Sequence, residues 1–575
     1  MREQKWVVMA KGADFHGIAR RFSIDPIVAR LIRNRDVVGD EAIQKYLYGG
    51  RTDLYDPFLM KDMDKAVATV AEAIAGKKRI RIIGDYDIDG ICATYILSVG
   101  LKTLGAKVDY AIPDRIKDGY GINESLVADA HAAGVEVLLT CDNGIAAIAP
   151  LETAARFGMT VVVTDHHEVR SEQTKDGLRE ILPRASAVVN PKQRDCQYPF
   201  KGLCGAAVAY KLVEALFLHY RRTDAQDTIL NPLLAFCAIA TVGDVMELVD
   251  ENRILVKLGL SCLHCTEHVG LRALIQANKL SVAEVDTYHI GFIIGPCLNA
   301  TGRLDTAKRA MRLLECGQEQ EAVQIAAELV ELNASRKEMT EQETMRAVSC
   351  LEESGCLSDS VYVIYLPGCH ESLAGIIAGR IRERYGKPAI VLTDARDGVK
   401  GSGRSIEGYS MFEKLQECSD LLREFGGHPM AAGLSLPKDN ILELRKQLNA
   451  RSGLCEADFV DKVRIDLQMP FSSVRRELIS QLDMLRPFGK GNEKPLFAEK
   501  NVRVIGAELL GKHQNVLRMR LQGPDGVILP AVCFREAQIL FALIQKKKEL
   551  MITYYPQINQ FRGQTTVQLV VVNYM

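Results

Sequence analysis

Seven residues, TDHHEVR from Thr164 to Arg170, follow at once on the apolar run MTVVV and set an acid beside two imidazoles. Two other stretches share that form: RIIG runs into Asp85-Tyr86-Asp87-Ile88-Asp89-Gly90, and VEVLLTC runs into Asp142-Asn143-Gly144. A fourth acid-bearing segment, ATVGDVMELVDENR, closes another apolar run with Asp244. Carboxylates gathered in one place repel each other and raise each other's pKa unless cations neutralise them. Carboxylates mixed with imidazoles suit manganese or magnesium with water positions left open. Two such ions about 3.5–4 Å apart clamp both sides of an in-line attack on phosphorus. Metal-dependent cleavage of a phosphoester is the chemistry this set predicts.

Gathering requires a scaffold. From about Lys61 to Val189, strand-like runs (79–84, 135–140 and 160–164) alternate with helix-like segments such as YILSVGLKTLG and NESLVADAHAAG, which stop at glycine. That alternation predicts a parallel α/β sheet. Parallel neighbours deliver all their acids to one carboxyl edge, where open α/β sheets bind ligands. The plainer reading is that Asp, Asn and Gly after strands only form turns. It serves DNG well enough, but three acids in five residues before a helix exceed what one cap needs.

A chain of 575 residues exceeds a single core and predicts three domains. With 72 Lys and Arg against 73 Asp and Glu, the whole-molecule field is close to neutral, so a polyanion must be held by a local basic patch. The region from Leu496 to Met575 is the basic one, with ten Lys or Arg against five acids. Fifteen scattered cysteines without framework spacing, and no secretory signal, predict a reducing compartment and so the cytoplasm. No apolar run reaches the about 18 residues of a membrane span, so no membrane is expected.

Beyond the first sheet, Asn231 to Leu260 reads as mostly helical, and Glu319 to Glu353 as a long helix or helix pair connecting domains. A second α/β unit opens at VYVIYL (361–366), continues through SLAGIIAGRIRERYG and PAIVLT, and closes near Leu448. After Gly453 the texture changes to short alternating strands with turn residues, which predicts a small β-barrel. Its interspersed Phe534, Tyr554, Tyr555 and Phe561 fit base stacking or, equally, a core. Cys262, His264, Cys265 and His268 could be drawn as a zinc site, but one C-x-x-C pair falls short of two separated ligand pairs, and the cysteines read as small buried hydrophobes on a helix.

DYDIDG, DNG, DHH and GDV, in that order, resemble the four motifs of the DHH phosphoesterase superfamily. CHESLAGIIAGRI, GSGRS and FGGHPMAAGL resemble its companion DHHA1 domain, and the length with LRPFGKGNEKPLF before a β-rich end is similar to the bacterial single-strand-specific DNA exonucleases of that superfamily. The resemblance implies an α/β fold: a parallel-sheet DHH domain with an N-terminal extension and helical connector (1–345), a smaller α/β DHHA1 domain (346–452) and a C-terminal OB-like barrel (453–575). It implies hydrolysis of single-stranded DNA from the 5′ end with release of mononucleotides, in recombination and repair, using two Mn2+ or Mg2+ ions.

By that resemblance Asp87, Asp89, Asp142, His166 and Asp244 are metal ligands, with Asp85 a further ligand or a supporting carboxylate. His167 either joins the metals or meets the scissile phosphate, and Asp165 orients a ring or caps a turn. Arg115 in AIPDRIKDGYG, Arg303 in LNATGRL, Ser402 and Arg404 in KGSGRS, and His428 in a glycine-rich turn correspond to positions that hold substrate phosphate; His370 is packing or substrate contact. An isolated arginine is otherwise a surface charge or an ion-pair partner. Cys369 before His370, Ser372 and Cys297 depart from the usual pattern, and none of them replaces a metal ligand. The implied partners are single-stranded DNA, a helicase and a single-stranded-DNA-binding protein, with the chain a monomer. A hydrolase of short nucleotides or polyphosphate, and a scaffold without turnover, are the alternatives.

Overall fold

The computed structural model describes residues 4–575 apart from 116–118, 120, 176, 223, 305, 548 and 562. The chain gathers into two compact units: one of Val8–Gly302, Thr306–Ala327 and Arg464–Met575, the other of Glu328–Val463 with the short pieces Met1–Val7 and Arg303–Asp305.

In the larger unit, five parallel strands lie in the order Lys107–Ala111, Arg79–Ile83, Val137–Cys141, Thr160–Thr164 and Ala187–Val189. Val137–Cys141 and Ala187–Val189 are buried throughout, as both-sided coverage of a parallel sheet demands. One face carries Ile88–Thr103, which packs on Gly205–His219 and Asn231–Gly243. The other face shares a core with Val127, Ala130, Leu151 and Ala154 of the helices Glu124–Ala132 and Ile148–Arg156. Both faces are therefore closed, and the carboxyl edge is left to the acids.

The same unit contains a closed five-stranded barrel. Phe497–Leu510 pairs with Val516–Gln522, which pairs with Ile528–Cys533; that strand runs parallel to Gln564–Tyr574, which pairs with Glu549–Phe561, and Glu549–Phe561 returns to Phe497–Leu510. Residues from the N-terminal helices, Val28, Leu31, Ile32 and Ile43, belong to the same core as Leu517, Leu540 and Tyr554. The segment read from sequence as an extension of the first domain thus shares the core of the barrel, an association across more than 400 positions that no local pattern records.

The smaller unit has a mixed five-stranded sheet, in the order Glu424–His428, Ala431–Leu436, Gly398–Arg404, Ala389–Ala395 and Tyr362–Tyr365. Only the last pair is parallel. Glu319–Glu353 is one continuous helix, so the alternative of a helix pair falls away, and the division between the units lies within it. FGGHPMAAG is a hairpin rather than a glycine-rich turn: His428 ends one strand and Ala431 begins its partner. Among the described residues no helix is long and apolar enough to cross a membrane.

The cysteine pair near residue 262 also departs from expectation. Cys265 is exposed and Cys262 only partly covered. His264 Nε2 lies 2.7 Å from the Val285 carbonyl and His268 Nε2 lies 2.9 Å from the Tyr95 hydroxyl, so each imidazole has its own partner.

Candidate metal centre

The carboxyl edge of the parallel sheet holds the acids as the strand order requires. Arg79–Ile83 leads through Gly84 to Asp85, Cys141 is followed by Asp142, and Thr164 by Asp165, His166 and His167. Asp244 comes from another direction, as the residue that ends the buried helix Asn231–Gly243. Asp142 takes φ +60, a conformation Asp and Asn tolerate better than other side chains.

Several of the acids are fixed by backbone groups. Asp87 Oδ1 caps Ile88–Thr103, accepting from the N–H of Asp89 (3.0 Å) and Gly90 (3.1 Å). Asp89 accepts from the N–H of Gly205 (2.6 Å) and Ala206 (2.7 Å), the first residues of Gly205–His219, where the helix dipole favours negative charge. Asp165 accepts from the N–H of Ile145, His166 and His167. Its Oδ1 also lies 2.8 Å from His167 Nδ1, so it orients that ring, one of the two tasks read for it from sequence.

Ligand atoms converge in three overlapping groups, each within 4.8 Å: Asp85, Asp87 and Asp142; Asp89, His166 and Asp244; and Asp142, His166 and His167. His166 Nε2 stands 3.0 Å from Asp142 Oδ1, 3.5 Å from Asp89 Oδ2 and 3.9 Å from Asp244 Oδ2. Asp142 is shared between an all-carboxylate group and an imidazole-bearing one, which places it between two candidate ion positions.

The electrostatics fit hard cations. Asp85, Asp89 and Asp142 are at most 2% exposed. Burial first, and then the neighbouring carboxylates, push Asp142 well above the usual range; burial and Asp87 do the same to Asp85, and burial and Asp89 raise Asp87. Asp244 is pushed up to about 8 by burial and Asp89. Burial lowers His166 and so favours the neutral imidazole that ligates metals. His167 behaves oppositely: burial works against its charge, but the bond to Asp165 prevails and raises it to about 9. Asp165 is lowered in turn, burial being outweighed by that same bond. Among the described residues, the buried Asp85 Oδ2 and His166 Nδ1 find no hydrogen-bond partner. Buried carboxylates held charged need cations, and this donor set fits a pair of divalent ions.

Several supporting groups escaped the sequence reading. Asn143 donates to the carbonyls of Ile83 (3.1 Å) and Cys141 (2.9 Å) and accepts from the Ile122 N–H (3.2 Å), tying two strand ends together. Asn299 Oδ1 accepts from the Ile88 N–H (2.9 Å), and Asn190 Nδ2 donates to the His167 carbonyl (2.9 Å). Asn143 lay inside a quoted motif and could have been found there; Asn190 and Asn299 carry no local signal.

The predicted phosphate-binding residues fall into two groups. Arg115 lies over the Tyr86 ring, 5.0 Å from its centroid, and Tyr86 separates Asp85 from Asp87; residues 116–118 just beyond it lie outside the described residues. The others belong to the smaller unit. Arg404 Nη1 donates to Ser402 Oγ (2.7 Å), Arg303 Nη1 to the Ser372 carbonyl (2.7 Å), and His370 Nδ1 lies 2.7 Å from Ser372 Oγ. Arg404 and His428 both pair with Ala431, so they flank it on adjacent strands. Gly375, in the first turn of Ala374–Tyr385, has no side chain because a Cβ there would lie 2.7 Å from Arg404 Nη2 and 3.1 Å from Ser402 Oγ. The glycines of KGSGRS have steric reasons within the fold: a Cβ at Gly401 would strike the Val391 carbonyl, and one at Gly403 the Met411 side chain.

Buried acids and an imidazole at the carboxyl edge of a parallel sheet, with a second mixed α/β unit and a closed barrel, define a phosphoesterase of the DHH class. Family models agree along the chain: the DHH family N-terminal domain matches residues 79–241, the DHHA1 domain 358–452 and the RecJ OB domain 465–573. The chain belongs to the RecJ family. It is 34% identical over 574 residues to the single-stranded-DNA-specific exonuclease RecJ of Bacillus subtilis (strain 168), covering 99% of this chain and 70% of that protein. It is also 34% identical to the protein of the same description in Dickeya dadantii (strain 3937), covering 96% of each. The crystal structure of RecJ in complex with Mn2+ from Thermus thermophilus matches with a TM-score of 0.82 at 27% identity, covering 100% of this chain and 80% of that one.

Proposed function

We propose that this chain is a single-stranded-DNA-specific exonuclease that hydrolyses phosphodiesters from the 5′ end and releases mononucleotides. The observation that carries the reading is the overlap of three ligand groups on Asp142 and His166, in a member of the RecJ family. Asp85, Asp87 and Asp142 would hold one Mn2+ or Mg2+, and Asp89, Asp142, His166 and Asp244 a second. When bound, such ions activate water for attack and offset the charge developing at phosphorus.

The chain's own groups do the positioning. The amides of Gly205 and Ala206 fix the direction of the Asp89 carboxylate. Asp165 orients the His167 ring through its bond to Nδ1, and that ring would join the metals or meet the scissile phosphate. Arg115 places a guanidinium beside the acidic loop to steady a backbone phosphate. Ser402, Arg404 and His428, with Arg303 and His370, would hold the strand's terminal phosphate at the start of the Ala374–Tyr385 helix. In this reading residues 1–345, 346–452 and 453–575 act as catalytic, end-holding and strand-binding parts. The protein would work as a monomer in the cytoplasm, in recombination and repair, on strands delivered by a helicase and a single-stranded-DNA-binding protein.

The test is a comparison of Mn2+-dependent release of mononucleotides from single-stranded DNA, blunt duplex DNA and single-stranded RNA of one sequence. Release from the single-stranded DNA alone supports the reading. Equal turnover of di- to tetranucleotides regardless of sugar, or binding without cleavage, overturns it.

A further inference from the structure

A row of exposed aromatic and basic groups runs through the larger unit, away from the acids. Val245, directly after Asp244, is 61% exposed. Behind it, Gly291 lies against Val242, where a Cβ would sit 3.7 Å from that side chain. The same helical segment carries Phe292 and Tyr288, 66% and 58% exposed, with ring centroids 5.0 Å apart. Large apolar rings left in water side by side need an explanation.

The row continues to the barrel. Thr287 Oγ1 donates to the Phe488 carbonyl at 2.6 Å, joining the aromatic pair to the segment that enters the barrel. Arg486 lies 5.5 Å from the Phe488 ring centre and is paired with Asp483 at 2.7 Å and, more distantly, with Asp286 at 4.0 Å. Beyond it Lys494 sets its ammonium 3.4 Å from the Tyr555 ring centre, and no described carboxylate forms an ion pair with it. Burial lowers Lys494 to about 8, which still leaves it mostly protonated at neutral pH. Arg486 is thus largely compensated, while Lys494 is a positioned cation with its charge still available. Both line a cavity of about 190 Å3 with Phe488, Tyr555 and Gln557. That is below the roughly 300 Å3 at which small-molecule pockets begin, so it suits one backbone unit of a longer chain rather than a free nucleotide.

We propose that this row is a strand path: Phe292 and Tyr288 stack successive bases of a single strand leaving the metal centre, and Lys494 on Tyr555 takes a backbone phosphate further along. The alternation of π-faces with an available cation is the composition that holds single-stranded nucleic acid without reading its sequence. This rests on the proposed exonuclease reading and gives it a length dependence: bases beyond the scissile one contribute affinity through these side chains.

The test is fluorescence anisotropy with labelled oligothymidylates, one of about 20 nucleotides and one trinucleotide, on the full chain and on Tyr288→Ala, Phe292→Ala and Lys494→Ala, across a salt series. Both rings are exposed, so truncation leaves the core intact, and Tyr288→Phe serves as the variant that keeps a stacking face. The expected result is about tenfold weaker binding of the long strand for each lost ring, a much smaller change for the trinucleotide, and wild-type binding for Tyr288→Phe. Lys494→Ala should lower the salt slope by about 0.7, the share of one phosphate on a single strand. Equal losses on both lengths, or unchanged long-strand affinity and salt slope, overturn the proposal. Since binding is read without turnover, this pattern in a protein that fails to cleave DNA would overturn the exonuclease reading and leave the path standing.

Discussion

Asp142→Asn separates the role of charge at the centre from its role in the fold. Asn keeps the shape of Asp and tolerates the φ of +60 at this position, whereas Ala would add about 1–2 kcal/mol of left-handed strain. The charge removed is buried, 2% exposed, among carboxylates that already raise its pKa, so the metal-free fold loses a repulsion and its melting temperature should hold or rise. An ion between the two ligand groups loses a full charge at contact distance. At an effective dielectric near 20 and about 4 Å, one unit charge is worth about 4 kcal/mol, or about three orders of magnitude in ion affinity. Calorimetric titration with Mn2+ reads the affinity, thermal unfolding in chelator reads the fold, and mononucleotide release from single-stranded DNA reads the activity. Turnover within tenfold of wild type at equal Mn2+, or a metal-free melting temperature that falls, would refute the assignment of Asp142 as the shared ligand.

Three further outcomes are expected. Because Asp244 titrates near 8 when folded against 3.8 for an ordinary Asp, the folded state retains a proton that the unfolded chain releases; metal-free stability should therefore fall as pH rises from about 4 to about 8. Mn2+ should reverse that slope, and denaturation curves across this window with and without the ion check both signs. Gly375→Ala should push Arg404 off Ser402, raising KM for 5′-phosphorylated oligonucleotides about tenfold with kcat little changed; an unchanged KM speaks against the end-holding role. Asn143→Ala leaves the Ile83 and Cys141 carbonyls and the Ile122 N–H without their partner, and should cost about 2–3 kcal/mol in urea unfolding; a loss well under 1 kcal/mol contradicts its role as the tie between strand ends.

Three of the five strands of the first sheet were legible because buried parallel strands are short apolar runs and these three end on acids; Lys107–Ala111 and Ala187–Val189, followed by Ile112-Pro113 and Asn190-Pro191, carry no such mark. The span of the long helix Glu319–Glu353 was read to the residue, since three- and four-residue periodicity survives any tertiary context. The barrel was legible from alternation, but the core it shares with the N-terminal helices was not, since apolar faces on Pro26–Asn34 and on strands after 497 carry no record of each other. His428 was misplaced in a turn because glycines that permit a turn also occur in a crowded sheet: Gly427 takes φ +144 and faces the Ala431 carbonyl within the hairpin. The acids of the candidate centre were visible as residue types. The amides of Gly205 and Ala206, which hold Asp89, were not, because a helix N-terminus more than a hundred residues away becomes a partner only in three dimensions.

The measurement that tests the central claim most directly is a Mn2+ time course on one single-stranded DNA oligonucleotide labelled separately at its 5′ and 3′ ends. The account predicts that the 5′ label leaves first as a mononucleotide while the 3′ label stays on progressively shorter strands. Early release of the 3′ label, or internal fragments carrying either label, would contradict it.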